Sequence, residues 1–219
     1  MTDQLILKFP RDNVYLKEDF YVSSGNQEAY EFINSWPKWI KRIVNIFGPP
    51  GSGKTHLASI LKSKTSTLKI ESDALDDKIF FEFKTKEALI IENLNEKVSE
   101  NLLFSLWNVA LQDNKYLLIT STKPISAYKF KLPDLKSRAI SSVIIGINLP
   151  SDDLISVILA KNFSDKQIKV EKKHIDYIIK RIDRSYEKIS QFVSILDKYS
   201  LKKGNPFSLK LIKEVLKMI

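Results

Sequence analysis

One glycine-rich segment constrains this chain more than any other part of the sequence. It is Gly48-Pro49-Pro50-Gly51-Ser52-Gly53-Lys54-Thr55, and it matches the pattern G-x-x-x-x-G-K-[ST]. An apolar run at 43–47 precedes it and a helix-like stretch from His56 follows it, which is the strand–loop–helix context that this pattern needs. Backbone N–H groups of such a loop surround phosphate oxygens, and the helix start adds its positive dipole end. We therefore expect a nucleotide site in which Lys54 contacts the β- and γ-phosphates and Thr55 ligates Mg²⁺.

The composition limits which kinds of site and which cellular location are compatible with this sequence. The 219 residues suffice for one large domain, or for one domain and a smaller one. The sequence has no cysteine, so disulfides and thiolate metal sites are excluded and a reducing, cytoplasmic location is expected. No apolar run approaches the roughly 20 residues that span a bilayer, so no membrane association is expected. The net charge of +9 fits either nucleic-acid contact or a surface that is simply rich in lysine.

The hydrophobic pattern predicts an α/β fold with a central parallel sheet flanked by helices. We expect strands at 43–47, 67–70, 88–91, 116–119 and 143–147, and helices at 28–36, 54–64 and 99–113. Residues 72–87 are ambiguous, and 79–83 are a candidate for one more short strand. After residue 150 the pattern becomes helical throughout, at 151–163, 171–182, 185–202 and 208–218. The expected domains are an extended leader at 1–10, an α/β nucleotide-binding domain at 11–150 and a small all-helical domain at 151–219.

Polar residues follow two of the predicted strands. Glu92 comes directly after the apolar run at 88–91, and is the candidate that would hold Mg²⁺ together with Thr55. The next residue is Asn93, which cannot act as a base, so slow intrinsic hydrolysis is expected. The hydroxyls of 120–122, which include Ser121 and Thr122, are expected either to face the γ-phosphate or to cap the strand end.

Two arginines are candidates for contact with phosphate, and the leader at 1–10 is a candidate for contact with a partner. Arginine favours bidentate phosphate contact, and 30 of the 35 basic residues are lysine. Arg138 is a candidate arginine finger, with a surface ion pair as the alternative, and Arg184 is a candidate to reach over the nucleotide. In the leader, large apolar groups alternate at positions 5, 7 and 9, as expected for an edge strand or for a peptide that docks into a partner's apolar pocket.

Together these residues resemble the DnaA branch of the AAA+ ATPases, and most closely the Hda-type regulators, which are short DnaA relatives. The resemblance covers nearly the whole chain. It comprises the Walker A segment at 48–55, with His56 after it; the Walker B position at 88–93; the sensor 1 segment at 119–124; and the Leu-Pro-Asp-Leu-Lys-Ser-Arg box at 132–138. It also comprises a base-contacting segment with Phe20, Val22 and Asn26; Arg184 at the sensor 2 position of the helical lid; and a clamp-binding hexapeptide with Gln4, Leu5, Leu7 and Phe9.

The resemblance implies a fold, a ligand and partners. It implies an AAA+ module with a helical lid that holds ADP or ATP with Mg²⁺, and works in the ADP-bound form. It further implies that the leader binds the DNA polymerase sliding clamp, that DNA contact is indirect through the clamp, and that Arg138 acts in trans on the ATP of the DnaA initiator. The resemblance also implies a location in the cytoplasm, at the nucleoid and replisome. It is compatible with homo-oligomers of this chain.

The chain departs from the family at three points. Glu92 and Asn93 replace the usual acidic pair that begins with aspartate, and Thr122 replaces an acid, so intrinsic hydrolysis is expected to be weak or absent. The DNA-binding and helicase-interaction domains of DnaA have no counterpart in the matched segment, so an origin-binding initiator is not expected. Two alternatives remain open: a DnaA-like helicase loader or other motor-type AAA+ ATPase, and a non-catalytic nucleotide-bound adaptor.

Overall fold

Five parallel strands form the centre of the molecule, which was obtained as a computed structural model. The structure describes residues 20–165, 170–203 and 208–219. The strands are β1 (Ile43–Phe47), β2 (Thr67–Glu71), β3 (Ala88–Leu94), β4 (Tyr116–Ser121) and β5 (Val143–Gly146). They lie in the order β2-β3-β4-β1-β5. Val44 of β1 pairs with Leu118 of β4 on one side and with Val143 of β5 on the other, so β1 is an inner strand.

Helices cover both faces of this sheet. The helices α1 (Gln27–Asn34) and α2 (Lys54–Lys62) pack on one face, which we call the α2 face. The helices α3 (Ile79–Lys84), α4 (Glu100–Gln112) and α5 (Pro133–Ser141) pack on the other, which we call the α4 face. Because both faces are covered, the inner strands β3 and β4 begin with largely apolar runs at 88–91 and 116–119, as the sequence predicted. The fold is thus the expected α/β arrangement with a parallel sheet.

The remaining helices share an apolar core of their own. They are α6 (Asp152–Asp165), α7 (Lys172–Ile179), α8 (Tyr186–Lys203) and α9 (Leu209–Leu216). Phe163 of α6, Phe192 of α8 and Ile212 of α9 are fully buried among them. All four helices were expected, with ends that differ by a few residues. The domain boundaries at 10 and 150 remain predictions.

One predicted element is wrong. Residues 79–83 were a candidate strand, but the segment is the helix α3. Its aromatic residues favour strands intrinsically, yet β2 and β3 are parallel neighbours, and their connection must cross over the sheet. Ile79 and Phe83, four residues apart, are buried on one side of the helix, whereas Phe81 is exposed. The helix α5 was not anticipated as an element.

The predicted leader lies outside the described residues, and with it Gln4, Leu5, Leu7 and Phe9. Within the described ranges, none of the helices combines the length and the apolar character that crossing a membrane requires.

Candidate functional site

The candidate site lies at the carboxyl edge of the sheet. The glycine-rich loop follows β1, Glu92 lies near the end of β3, and Thr120 lies near the end of β4. The chain passes from β4 to β5 across β1, which makes β1 a point where strand order switches. Ligands of open α/β sheets bind at the carboxyl end of such a strand. The fold therefore brings the Walker A, Walker B and sensor 1 segments to one edge.

The glycine-rich loop has the backbone that phosphate binding requires. Gly53 has a φ of +92° and is the N-cap of α2. A side chain there would be strained, and a Cβ on Gly53 would lie 2.9 Å from Cε2 of Phe20. Gly51 also has a positive φ, of +76°. The loop thus leads directly into the amino-terminal end of α2, where backbone N–H groups are unpaired and attract anions.

Lys54 is buried within the loop. Its Nζ donates hydrogen bonds to the carbonyl oxygens of Gly48 and Pro49, at 2.7 and 2.9 Å. Burial lowers the pKa of Lys54, and the nearby carboxylate of Glu92 partly offsets this shift. Thr55 is half-buried at the first turn of α2. The ammonium of Lys54 and the carboxylate of Glu92 are therefore close enough to attract each other.

A cavity of about 290 Å³ adjoins this loop. The segment 20–26, the loop and the helices α6 and α8 line it. The ring of Phe20 stacks on Tyr30 at a centroid distance of 5.4 Å, and meets the edge of the buried His56 at 5.2 Å. Such a partly aromatic, half-open cavity beside a phosphate loop has the dimensions and chemistry to hold a flat ring.

The three predicted base-contacting residues differ in placement. Phe20 and Asn26 line the cavity, whereas Val22 is not among its lining residues. The side chain of Asn26 is buried; it accepts from the backbone N–H of Ser23 and donates to the carbonyl of Tyr21. Asn26 thus holds the segment in its turn.

Glu92 and Asn93 point in opposite directions. Glu92 is 1% exposed and forms an ion pair through Oε2 with Lys69 of β2, while its Oε1 has no hydrogen-bond partner among the described residues. Asn93 is exposed, and its side-chain amide donates to Oε2 of Glu71 at 2.9 Å. The predicted pair therefore does not act as one unit. Lys69 was not among the predicted site residues, although its position between the apolar Leu68 and Ile70 was a signal.

One oxygen of the predicted Mg²⁺ site is open to a ligand. Oε1 of Glu92 is buried and has no hydrogen-bond partner among the described residues, while Oε2 pairs with Lys69. Oε1 of Glu92 and the hydroxyl of the half-buried Thr55 are the groups that would hold Mg²⁺. The described ranges contain no group of three or more acidic or histidine side chains that would hold a metal ion.

The hydroxyls at the end of β4 divide between the two faces. Ser121 follows Ile119 by two residues and lies on the α4 face, where its hydroxyl accepts from Asn45 and donates to the carbonyl of Lys123. Thr120 lies on the α2 face with Glu92, and its hydroxyl accepts from the backbone N–H of Asn93 at 3.0 Å. Thr122 is exposed. Of the three hydroxyls, Thr120 is on the side of the phosphate loop.

The hydroxyl of Ser121 is bonded to Asn45 on the α4 face. Asn45 is fully buried in β1, and its Nδ2 donates to the carbonyl of Ile119 and to Oγ of Ser121, at 3.0 and 2.8 Å. Its Oδ1 accepts from the backbone N–H of Ile125 at 2.8 Å. Asn45 was not among the predicted site residues, although it is a polar residue within the apolar run at 43–47.

Arg138 lies in the last turn of α5, on the α4 face. Its guanidinium carbon is 4.8 Å from the ring centroid of Phe104 in α4. Its Nη1 is buried and has no hydrogen-bond partner among the described residues. The phosphate loop leads into α2, which packs on the opposite face of the sheet.

Arg184 does not line the cavity. It is exposed and pairs with Asp152, with Nη2 at 3.0 Å from Oδ1. Tyr186, two residues later, does line the cavity, and its hydroxyl donates to the carbonyl of Asn148 at 3.3 Å. Burial raises the pKa of Tyr186 to about 12. Tyr186 was not among the predicted site residues, and its only signal in the sequence was its position close to Arg184.

The sequence of this chain is similar to those of known proteins. No family model matches the sequence. The chain is 26% identical over 228 residues to the chromosomal replication initiator protein DnaA of Campylobacter jejuni, which covers 91% of this chain and 51% of that protein. A DnaA protein of Borreliella afzelii is 24% identical over 232 residues, covering 94% and 48%. The chain thus spans about half the length of the DnaA proteins that it matches.

Solved structures match over a similar extent. Domain III of the Thermotoga maritima replication initiation protein DnaA superposes with a TM-score of 0.77 at 18% identity, covering 95% of this chain and 98% of that one. AMPPCP-bound DnaA from Aquifex aeolicus gives a TM-score of 0.70 at 18% identity, covering 87% and 67%. The chain has the AAA+ P-loop fold and is a homologue of the AAA+ region of DnaA.

Proposed function

We propose that this protein is an adenine-nucleotide-binding AAA+ regulator of chromosomal replication initiation. In this proposal it binds the sliding clamp through the leader and stimulates hydrolysis of DnaA-bound ATP, with Arg138 as an arginine finger in trans. Homology to DnaA supports the replication context. The placement of Arg138 is the observation that carries the finer proposal.

Nucleotide binding is the first step. The Gly48–Thr55 loop has the backbone of a phosphate site, and the cavity beside it is lined by the ring of Phe20. The AMPPCP-bound DnaA of similar fold supports an adenine nucleotide. We propose ADP or ATP, with the phosphates on the loop and Lys54, and the base in the cavity between Phe20 and α6.

The residues that would drive hydrolysis in this chain are engaged otherwise. Asn93 has no basic group, and its amide is bound to Glu71. Glu92 is neutralised by Lys69. We therefore propose that the nucleotide acts as a structural ligand with slow turnover, which fits an ADP-bound regulator better than a motor ATPase.

Arg138 is suited to act on another molecule. It belongs to α5, which packs on the α4 face, whereas the phosphate loop leads into α2 on the opposite face. The side chain is partly exposed, and Phe104 lies against one side of its guanidinium. An arginine held in this way can meet a phosphate presented by a second AAA+ protein. Fingers supplied in trans accelerate hydrolysis by about 10³–10⁵-fold.

The partners proposed are the DnaA initiator and the sliding clamp, with DNA contact indirect through the clamp. Gln4, Leu5, Leu7 and Phe9 would supply the clamp contact, so a Gln4→Ala, Leu5→Ala variant should lose clamp affinity. Location at the replisome follows from this tether. The chain would work as a leader, an AAA+ module and a helical lid.

The test is conversion of DnaA-bound ATP to ADP with DNA-loaded clamp and this protein present. We expect clamp-dependent acceleration with the wild type and its loss with Arg138→Ala. Arg181→Ala is a matched control, because Arg181 also stacks on an aromatic ring, that of Tyr177 at 3.7 Å, but in the helical region. Acceleration that survives Arg138→Ala would refute the finger.

A non-catalytic adaptor is the second candidate, and one observation favours it. The Nη1 of Arg138 is buried and the guanidinium is stacked, as in an arginine that serves packing. Under this reading no acceleration occurs with either protein, whereas clamp and nucleotide binding persist. In that case Arg138→Ala would lower only the stability of the protein.

A further inference from the structure

Another cavity lies at the amino edge of the sheet, at the opposite ends of the strands from the phosphate loop. It has a volume of about 410 Å³, and residues 36–37, 84–87 and 113–116 line it. These segments lead into β1, β3 and β4. The five residues of β1 span about 16 Å between the two edges, so this cavity is separate from the nucleotide site. We call it the amino-edge cavity.

Two aromatic rings form a corner in the amino-edge cavity. Trp36 and Tyr116 line it and are both half-buried, with ring centroids 5.9 Å apart and planes at 70° to each other. The buried Trp39 meets Tyr116 edge-on at 5.5 Å, and the hydroxyl of Tyr116 donates to the carbonyl of Pro37 at 3.2 Å. The corner is therefore fixed by packing and by a hydrogen bond. A flat ring that enters it can stack on one aromatic side chain and meet the other at its edge.

The connections that meet at this edge are strongly basic. Residues 35–42, 84–87 and 113–115 contain six basic and two acidic residues. The basic ones are Lys38, Lys41, Arg42, Lys84, Lys86 and Lys115, and the acidic ones are Glu87 and Asp113. Nearly half of the net charge of +9 thus lies in these three short connections. Such a surface attracts anions.

Two of these cations are held in place by uncharged groups. Nζ of Lys115 donates to the carbonyl oxygens of Lys84 and Lys86, at 2.9 and 2.6 Å. Nη1 of Arg42 donates to the carbonyl oxygen of Asn114 at 2.6 Å. Among the described residues, neither Lys115 nor Arg42 pairs with a carboxylate. Both cations are therefore fixed in position while their charge is not neutralised, and such groups can bind an anion without first being ordered.

We propose that the amino-edge cavity binds a nucleotide unit, with its base in the corner of Trp36 and Tyr116 and its phosphate on Lys84, Lys86 and Lys115. Stacking on aromatic rings together with a basic surface for the phosphates is the chemistry that binds unpaired nucleotides. The unit is either a free nucleotide or one member of a single strand, since both present the same base and phosphate. A duplex does not fit, because its bases are already stacked on each other.

This inference goes beyond the proposed function and does not depend on it. A free nucleotide in this cavity would be a second ligand, bound apart from the phosphate loop. A single strand would add direct contact with nucleic acid to the indirect contact through the clamp.

The experiment uses thymidine probes on the full chain, because thymine is not the base proposed for the phosphate loop. The probes are dTMP, a single strand of about ten thymidines and a duplex of the same length. We expect an unpaired thymidine probe to quench the fluorescence of Trp36, and Trp36→Phe to lose this quenching. Trp36→Phe keeps an aromatic ring, so its affinity for a fluorescein-labelled strand, measured by anisotropy, should stay within about threefold of the wild type. Quenching by dTMP would identify a free nucleotide as the ligand, and quenching by the strand alone would identify a single strand.

Two further variants separate the base contact from the phosphate contact. For the probe that quenches, Trp36→Leu should weaken affinity at least about fivefold by removing the stacking ring. Lys84→Gln with Lys86→Gln should weaken it by a similar factor and flatten its dependence on salt. The matched control is Lys172→Gln with Lys180→Gln, which removes two exposed lysines at the ends of α7 and should stay within about twofold of the wild type.

The outcomes that overturn the inference are distinct. Duplex binding as tight as single-strand binding, without quenching, would show a general basic surface and no site for a base. An equal loss of affinity in the two pairs of lysine variants would show the same. Absence of quenching by both unpaired probes would also overturn the inference. Failure of ADP to bind at the phosphate loop would instead refute the proposed nucleotide function and leave this inference standing.

Discussion

The guanidinium of Arg138 rests on the ring of Phe104, 4.8 Å from its centroid. The two residues belong to α5 and α4, which pack together on the face of the sheet away from α2. The ring covers one side of the guanidinium, and Nη1 is buried without a hydrogen-bond partner among the described residues. We expect the contact with Phe104 to orient Arg138.

Replacing this ring should affect the finger without affecting the nucleotide site. We expect Phe104→Leu to reduce stimulation of DnaA hydrolysis by roughly five- to tenfold, because a cation–π contact of about 1 kcal/mol that orients Arg138 is lost. ADP affinity should stay the same, since Phe104 lies on the face opposite α2. Phe104→Tyr keeps the ring and should retain stimulation. Equal stimulation by Phe104→Leu and wild type would show that the ring does not orient the arginine.

The phosphate loop should not tolerate a side chain at Gly53. Gly53→Ala forces a Cβ to within 2.9 Å of the Phe20 ring at a φ of +92°. We expect a loss of about 1–3 kcal/mol of unfolding free energy, together with a clear loss of nucleotide affinity. Gly25→Ala is the matched control, because its Cβ would meet Asn148 at an ordinary 3.5 Å. Chemical denaturation and calorimetry measure the two effects, and similar results for both variants would contradict the prediction.

The stability that the loop before α5 gives to the fold should depend on pH, because Glu100 holds this loop in place. Its carboxylate accepts from the backbone N–H groups of Lys131 and Leu132, and these bonds lower the pKa of Glu100 below its ordinary value of 4.5. The stabilisation is therefore fully present above pH 4.5, and is lost as the pH falls through the lowered pKa.

The neutral isostere Glu100→Gln tests this sign. Wild type should be more stable than the variant at neutral pH, and the gap should close in strong acid, where Glu100 is protonated. Urea unfolding across pH measures the gap. Glu187→Gln, at an exposed position of α8, should show no such gap. A gap that stays constant down to strong acid would show that the charge of Glu100 is not responsible.

The buried amide of Asn45 should be costly to remove. Asn45→Ala deprives the backbone N–H of Ile125 of its acceptor and leaves a small cavity between β1 and β4. We expect the unfolding free energy to fall by about 2–4 kcal/mol. Asn101→Ala, on the exposed side of α4, should change it by less than about 0.5 kcal/mol. Comparable losses in the two variants would rule out a special role for the amide.

Much of the fold followed from the sequence, because inner parallel strands and amphipathic helices leave distinct patterns. All five strands were predicted within a few residues. The segment at 79–83 was not, since its type is decided by the crossover between β2 and β3 and not by its own residues. Local propensity gave no information about that connection.

The candidate site was predictable only in part. The loop at 48–55 is a contiguous motif, so its residues could be named together. Lys69 and Glu92 are 23 positions apart, and only the pairing of β2 with β3 brings their charges into contact. Ser121 was named for a role toward the phosphates, yet the alternation of β4 turns it to the α4 face and toward Asn45. Which face a strand-end side chain occupies depends on strand register and order, which the motifs do not contain.

Tyr186 packs against the phosphate loop at Gly51. A Cβ on Gly51 would lie only 3.0 Å from the Cβ of Tyr186, so the first turn of α8 rests directly against the loop backbone. A side chain at position 51 would therefore have to displace either the loop or the first turn of α8. The absence of a side chain at Gly51 is thus what allows α8 to lie this close to the loop.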